Sequence, residues 1–205
     1  MPIQYKNFIR RIFPTAHRVL LDRLIDDRAS HVTGNVLVLG AGMTDYREVF
    51  LNAKSVVNSD VDQFGPHIDM RLDAHALPLE SDQYDYVVAI EVFEHLHDPK
   101  QACSEIYRVL KKGGVFLMTV PFIFRIHGDP LDYTRFTQYG LASLLSRFEN
   151  IDVRSYGGRI SVISDLITTA SKALVPLRAL NLFFHFVPRG GSTDAPSGYV
   201  GLAQK

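Results

Sequence analysis

Apolar residues along this chain fall into short runs, some continuous and some alternating with polar residues, separated by stretches with helical spacing. The runs at 36–39, 55–59, 68–72, 84–90, 115–120, 151–156 and 199–203 predict strands. The run at 84–90 is apolar enough for burial on both faces, as in a parallel sheet. Helices are predicted over 1–29, broken near Pro14, with Val19, Leu20, Leu24 and Ile25 on one side. Others are predicted over 45–51 and 137–147. The one over 99–110 has Pro99 in its first position, Gly113 and Gly114 beyond its end, and Ala102, Ile106, Val109 and Leu110 at helical spacing. Strands alternating with helices predict an α/β fold, with a parallel sheet covered on both faces.

Between the last two predicted strands lies a long connection. Ile160, Ile163, Ile167, Ala170 and Leu174 mark one helical face, opposed by Ser164, Thr168 and Lys172, and the run from Ala179 to Pro188 is strongly apolar. An added helical layer is the first expectation. A homodimer contact, an acceptor lid or a membrane-surface contact through 160–188 are the others, the last with Lys172, Arg178 and Arg189 nearby. The segment 189–197, rich in Gly, Ser and Pro, reads as a loop.

At 205 residues the chain is expected to form a single domain with a substantial core. Its subdivisions would be an N-terminal helical cap (1–34), a binding core (35–156), a helical insertion (157–198) and a final strand (199–205). The 22 basic and 22 acidic residues cancel, so no overall field favours nucleic acid. One cysteine, Cys103, excludes an internal disulfide framework and reads as a small core hydrophobe. No secretory signal or membrane-length apolar span is evident, and a cytoplasmic location, peripheral to the membrane at most, is expected.

The first strand ends in Gly40-Ala41-Gly42, which lets the backbone turn sharply and approach a ligand. Thr44 or Asp45 can N-cap the helix predicted after this turn. Asp60 closes the second apolar run, where nucleotide-binding α/β folds place a carboxylate for ribose hydroxyls.

Four more motifs lie beyond Asp60 in chain order. They are Leu72-Asp73-Ala74-His75-Ala76-Leu77-Pro78-Leu79, Tyr84-Asp85-Tyr86-Val87-Val88, Glu91-Val92-Phe93-Glu94-His95-Leu96-His97-Asp98-Pro99, and the run from Glu105 through Arg108-Val109-Leu110 to Gly113-Gly114. Over about 35–155 the chain resembles the class I S-adenosylmethionine-dependent methyltransferases, in particular the type 11 methyltransferase domain. That resemblance implies a Rossmann-like, doubly wound, mostly parallel seven-stranded sheet with helices on both faces and the last strand antiparallel. It also implies S-adenosyl-L-methionine as cofactor. Gly40, Ala41 and Gly42 would pass beneath its methionine and ribose, and Asp60 would accept from the ribose hydroxyls. Val61 would face the adenine, Asp73 and the Ala74 amide would meet the adenine edge, and Glu91 would lie by the amino group. Two positions depart from the pattern: Val38 stands where an acidic residue is usual, and Lys112 where proline is usual.

After the fifth strand comes Pro121-Phe-Ile-Phe-Arg-Ile-His127-Gly-Asp129-Pro-Leu-Asp132-Tyr-Thr-Arg135-Phe-Thr137. It resembles the HGDPxDYxRFT loop of methyltransferases associated with surface glycans. An alcohol acceptor loses a proton as it is methylated, and histidine titrates in the useful range. His127 is therefore the first candidate base, with Asp129 or Asp132 orienting or replacing it. Glu94 and His95 read as capping and packing, Arg108 as pairing with a carboxylate, and no cluster shows metal-ligand spacing.

The expected function is methyl transfer to a small-molecule or glycan-intermediate acceptor at oxygen. The alternative is a non-catalytic S-adenosylmethionine-binding or partner protein on the same fold. A nucleic-acid methyltransferase is disfavoured by the neutral charge and by Glu91-Val-Phe-Glu94 in place of an Asn/Asp-Pro-Pro-Tyr type of motif. A nicotinamide-dependent oxidoreductase is disfavoured by the missing third glycine.

Overall fold

The computed structural model describes residues 12–62, 65–128, 131–187, 191–192 and 194–205. The predicted helix before Pro14 lies mostly outside them. Two compact units divide the chain. The larger holds residues 28–121, 127–154 and 199–205; the smaller holds 122–126, 155–198 and the chain before Arg28.

The strands are β1 (Gly34–Leu39), β2 (Ala53–Asp60), β3 (Met70–Arg71), β4 (Tyr84–Ile90), β5 (Leu110–Pro121), β6 (Glu149–Tyr156) and β7 (Gly198–Gln204). They form one sheet in the order β3-β2-β1-β4-β5-β7-β6. The pairs β2–β3, β1–β2, β1–β4 and β4–β5 are parallel. The end of β7 meets the start of β5, where the Gly113 amide donates to Lys205 O (2.8 Å). The start of β7 meets the end of β5, where the Phe122 amide donates to Ser197 O (2.8 Å). The last strand is thus antiparallel. Val36, Leu37 and Val38 of β1 and Val87, Val88 and Ala89 of β4 are wholly buried, as central strands covered on both faces must be.

The helices are α1 (Ala16–Ala29), α2 (Pro99–Val109), α3 (Gln138–Leu144) and α4 (Arg159–Ala170). α2 starts on an Asp98 cap and buries Ala102, Cys103, Ile106 and Val109. Thr137 caps α3 by accepting from the Gly140 amide (3.0 Å).

Two predicted elements differ. The helix expected over 45–51 is a single 3-10 turn, Tyr46–Glu48. Asn58 takes the Tyr46 amide on its side-chain oxygen (3.2 Å), and β2 begins at Ala53, leaving no length for a second turn. The glycines expected to follow α2 lie inside β5, which starts at Leu110 directly after the helix. There the β4–β5 register shifts between Tyr84 and Tyr86.

The smaller unit reverses the expected facing of α4. Ser161, Val162, Asp165 and Thr168 are buried, whereas Ile160 is 77% and Ile163 55% exposed. The reason is polar: the Asp165 carboxylate accepts from the amides of Ala16 (2.6 Å) and His17 (2.7 Å), satisfying the start of α1. A 3-10 stretch, Lys172–His185, follows and buries Asn181, which donates to Pro14 O (3.0 Å).

Candidate active site

Parallel pairing brings the carboxyl ends of β3, β2, β1 and β4 to one edge of the sheet, where open α/β sheets bind ligands. Gly40 follows β1 with φ +67°, and a Cβ there would lie 2.5 Å from Val92 Cγ2. Gly42 has φ +56° and nothing within 4 Å of its Cβ direction. The first glycine is demanded by close packing. The second leaves an open cradle.

Between them Ala41 is held by its amide on Ser59 O (2.9 Å). Asp60, nearly buried, accepts from the Gly42 amide through Oδ2 (2.8 Å) and from the Asp62 amide through Oδ1 (3.2 Å). Val61 beside it is half exposed. His67 Nε2 lies 3.0 Å from Gly42 O, a contact the sequence did not suggest.

Asp73 is exposed. The His75 amide (2.9 Å) and then the His75 ring hold its carboxyl below the usual carboxylate range. Ala74 behind it is buried. Glu91 sits just past β4 with φ 56°, a left-handed conformation that a non-glycine residue adopts at a cost. Its amide donates to Thr119 O (3.1 Å), and Thr119 Oγ1 donates to its carboxylate (3.0 Å). Val38 is fully buried, so the position of the missing acidic residue faces the interior.

The loop after β5 is tied to the loop after β4. The Tyr133 amide donates to Glu94 O (2.7 Å), and His95 Nδ1 lies 2.6 Å from Leu131 O. These ties bring three side chains together that are distant in sequence. Glu94 is completely buried, and neither of its carboxylate oxygens has a hydrogen-bond partner. His95 Nε2 lies 3.5 Å and His127 Nε2 4.0 Å from its Oε1. Burial, and then the nearby Glu91 carboxylate, push the Glu94 carboxyl well above its ordinary range. Burial, and then His95, push the His127 imidazole down.

Asp132 accepts from both terminal nitrogens of Arg135 and from the His127 amide (3.0 Å). Burial raises its carboxyl, but Arg135 and the His127 amide outweigh that and hold it low. It lies 3.3 Å from His127 Nδ1. Asp129 lies outside the described residues.

No metal-ligand spacing shows in the sequence, but the fold brings one ligand atom from each of Glu94, His95 and His127 within 4.8 Å of the others. The Glu-His pair in the 3-10 turn Phe93–His95 after β4, opposite a histidine in the loop after β5, was the missed signal. Arg108 pairs with Glu105 (2.8 Å) and donates to Leu77 O and Leu79 O, the structural role expected of it.

Residues 43–118 match the family described as a methyltransferase domain. Across the described residues the architecture agrees with a solved S-adenosylmethionine-dependent methyltransferase from Archaeoglobus fulgidus. The TM-score is 0.63 at 17% identity, covering 98% of this chain and 99% of that one. The chain has the class I methyltransferase fold. A Haemonchus contortus phosphoethanolamine N-methyltransferase 2, solved with S-adenosyl-L-methionine, is similar at TM-score 0.60 and 16% identity, over 100% of this chain and 60% of that one. In sequence, a probable S-adenosylmethionine-dependent methyltransferase of Mycolicibacterium smegmatis is 35% identical over 115 residues, 51% of this chain and 44% of the relative. The chain thus spans less than half the length of the curated relatives it matches. Among the described residues, no helix is long and apolar enough to cross a membrane.

Proposed function

We propose that the chain is an S-adenosylmethionine-dependent methyltransferase acting on a small-molecule or glycan-intermediate acceptor at oxygen. The observation that carries this reading is the Gly40–Gly42 turn braced by the Asp60 carboxylate, with open space over Gly42. Gly40, Ala41 and Gly42 would hold the methionine and ribose, and Asp60 the ribose hydroxyls through lone pairs its two amide contacts leave free. Val61, Asp73 and Ala74 would bound the adenine, and Glu91 the amino group. When bound, S-adenosylmethionine supplies a methyl carbon already activated as a sulfonium. The chain itself must position the acceptor, exclude water and take a proton.

His127 suits the last task. Its imidazole is held neutral near pH 7 by burial, and Asp132 stands against Nδ1, which leaves Nε2 as the acceptor of the proton. The neutral overall charge supports an acceptor other than nucleic acid. The outward apolar face of α4 supports a further contact through 160–188, with a second copy or a membrane surface.

The test is turnover: release of S-adenosylhomocysteine from S-adenosylmethionine with a panel of sugar and phenolic alcohols. His127→Ala is expected to lower it by about 10²–10⁴-fold while leaving cofactor affinity nearly intact. Full activity in that variant removes His127 from the chemistry. Cofactor binding without turnover on any acceptor favours the non-catalytic alternative.

A further inference from the structure

We propose that Glu94, His95 and His127 form a binding site for one divalent transition-metal ion of the zinc class, at the junction of the β4 loop and the acceptor loop. The strongest observation is Glu94 itself. A carboxylate taken fully out of water with no hydrogen bond to either oxygen is costly, and it must either take up a proton or be met by a positive charge. Two imidazole nitrogens face it at 3.5 and 4.0 Å. Ligand atoms around tetrahedral zinc stand about 3.4 Å from one another, given metal–ligand bonds near 2.0–2.2 Å. The His95–Glu94 pair already has that spacing, and the other ligand atoms, within 4.8 Å of one another, would have to close inward on an ion.

The surroundings of both histidines fit ligation. His95 Nδ1 is 2.6 Å from Leu131 O, so that nitrogen carries the proton and Nε2 presents its lone pair toward Glu94. His127 Nδ1 lies 3.3 Å from Asp132, a carboxylate fixed in turn by Arg135. A carboxylate or carbonyl behind each imidazole is the arrangement that orients metal-binding histidines. Two imidazoles and one carboxylate favour zinc-class ions over magnesium or calcium, which prefer all-oxygen shells. Three protein ligands also leave a coordination position open.

The role of such an ion rests on the proposed methyltransferase reading. A hydroxyl brought to the open position becomes a stronger acid, and its proton can pass to solvent. His127 Nε2 would then serve as a ligand, and the ion would take over the task assigned to it as a base.

The test is calorimetric titration of the untagged, metal-stripped full chain with Zn²⁺, with Mg²⁺ as comparison and S-adenosylhomocysteine titrated in parallel. One Zn²⁺ is expected per chain, with no Mg²⁺ binding at the same concentrations. Glu94→Gln and His95→Asn should each weaken Zn²⁺ at least tenfold while S-adenosylhomocysteine still binds. Asp132→Asn, which weakens the support of His127 and the Arg135 pair while leaving all three ligands in place, should weaken it about tenfold or more. Absence of Zn²⁺ binding, or unchanged affinity in Glu94→Gln and His95→Asn, overturns the site. Mg²⁺ bound in preference to Zn²⁺ overturns the assignment of ion class. Zn²⁺ binding without S-adenosylhomocysteine binding leaves the site standing and removes the cofactor reading. The converse result does the opposite.

Discussion

Asp60 holds two backbone amides, of Gly42 and Asp62, before any ligand arrives. Its carboxylate is therefore preoriented at the end of β2, and the loop it braces is the one expected beneath the cofactor. Asp60→Ala should weaken S-adenosylmethionine binding by about 1.5–3 kcal/mol, the scale of hydrogen bonds to a charged group. Calorimetry on the variant measures this, and unchanged affinity in a folded protein takes Asp60 out of the site. At this scale much was legible in the sequence. Asp60 as the end of β2, the glycine turn after β1 and a carboxylate partner for Arg108 are short-range patterns in which residue type and position along an element fix the contact. Glu94 was not legible, because nothing local distinguishes a capping glutamate from one buried without a partner. The ties across two loops, from the Tyr133 amide to Glu94 O and from His95 Nδ1 to Leu131 O, bring His127 to it.

Elements behaved according to how far their environment was local. β4 has the predicted bounds because its central residues Val87, Val88 and Ala89 are wholly buried, as an apolar run in a parallel sheet requires. α4 does not present the predicted face, because periodicity identifies an apolar stripe without saying which side of the helix is covered. Here the amides that open α1 require an acceptor, and Asp165 supplies it from the polar side. Asp165→Ala should cost about 1–3 kcal/mol by leaving buried amides unsatisfied. Ile163→Asp, on the exposed stripe, should stay within about 0.5 kcal/mol of wild type in urea unfolding. The reverse ranking would mean that the apolar face of α4 is the buried one.

A second element, the start of β1, depends on Asp85, which accepts from the Asn35 amide (2.7 Å) and from Lys111 Nζ (2.9 Å). That amide and then Lys111 hold its carboxyl below the usual range. A carboxyl depressed in the folded state contributes stability above its unfolded pKa of about 3.9, and this is lost as pH falls through the folded value. The Tm gap between wild type and Asp85→Ala should thus be full at pH 7 and narrow below pH ~4. A gap that stays constant to pH ~2 would show that ionisation of Asp85 plays no part.

In the whole molecule, the sheet order β3-β2-β1-β4 lines up Asp73, Asp60, the glycine turn and Glu91 along one carboxyl edge, the place proposed for one nucleotide-containing ligand. The strands of that order are short apolar runs separated by turn signals, which is why the sheet could be read from the chain. The acceptor's identity could not be, since it depends on how loops from different strands meet, and those contacts leave no periodic trace. The same edge in a nicotinamide-dependent enzyme would also present glycines and an acidic residue, so the ligand itself is the discriminating observation. Calorimetric titration of the full chain with S-adenosylhomocysteine and, separately, with NADH tests this most directly. One saturable S-adenosylhomocysteine site per chain is expected, with no NADH binding. Saturable NADH binding, or no heat with S-adenosylhomocysteine from a folded chain, would contradict the methyltransferase reading.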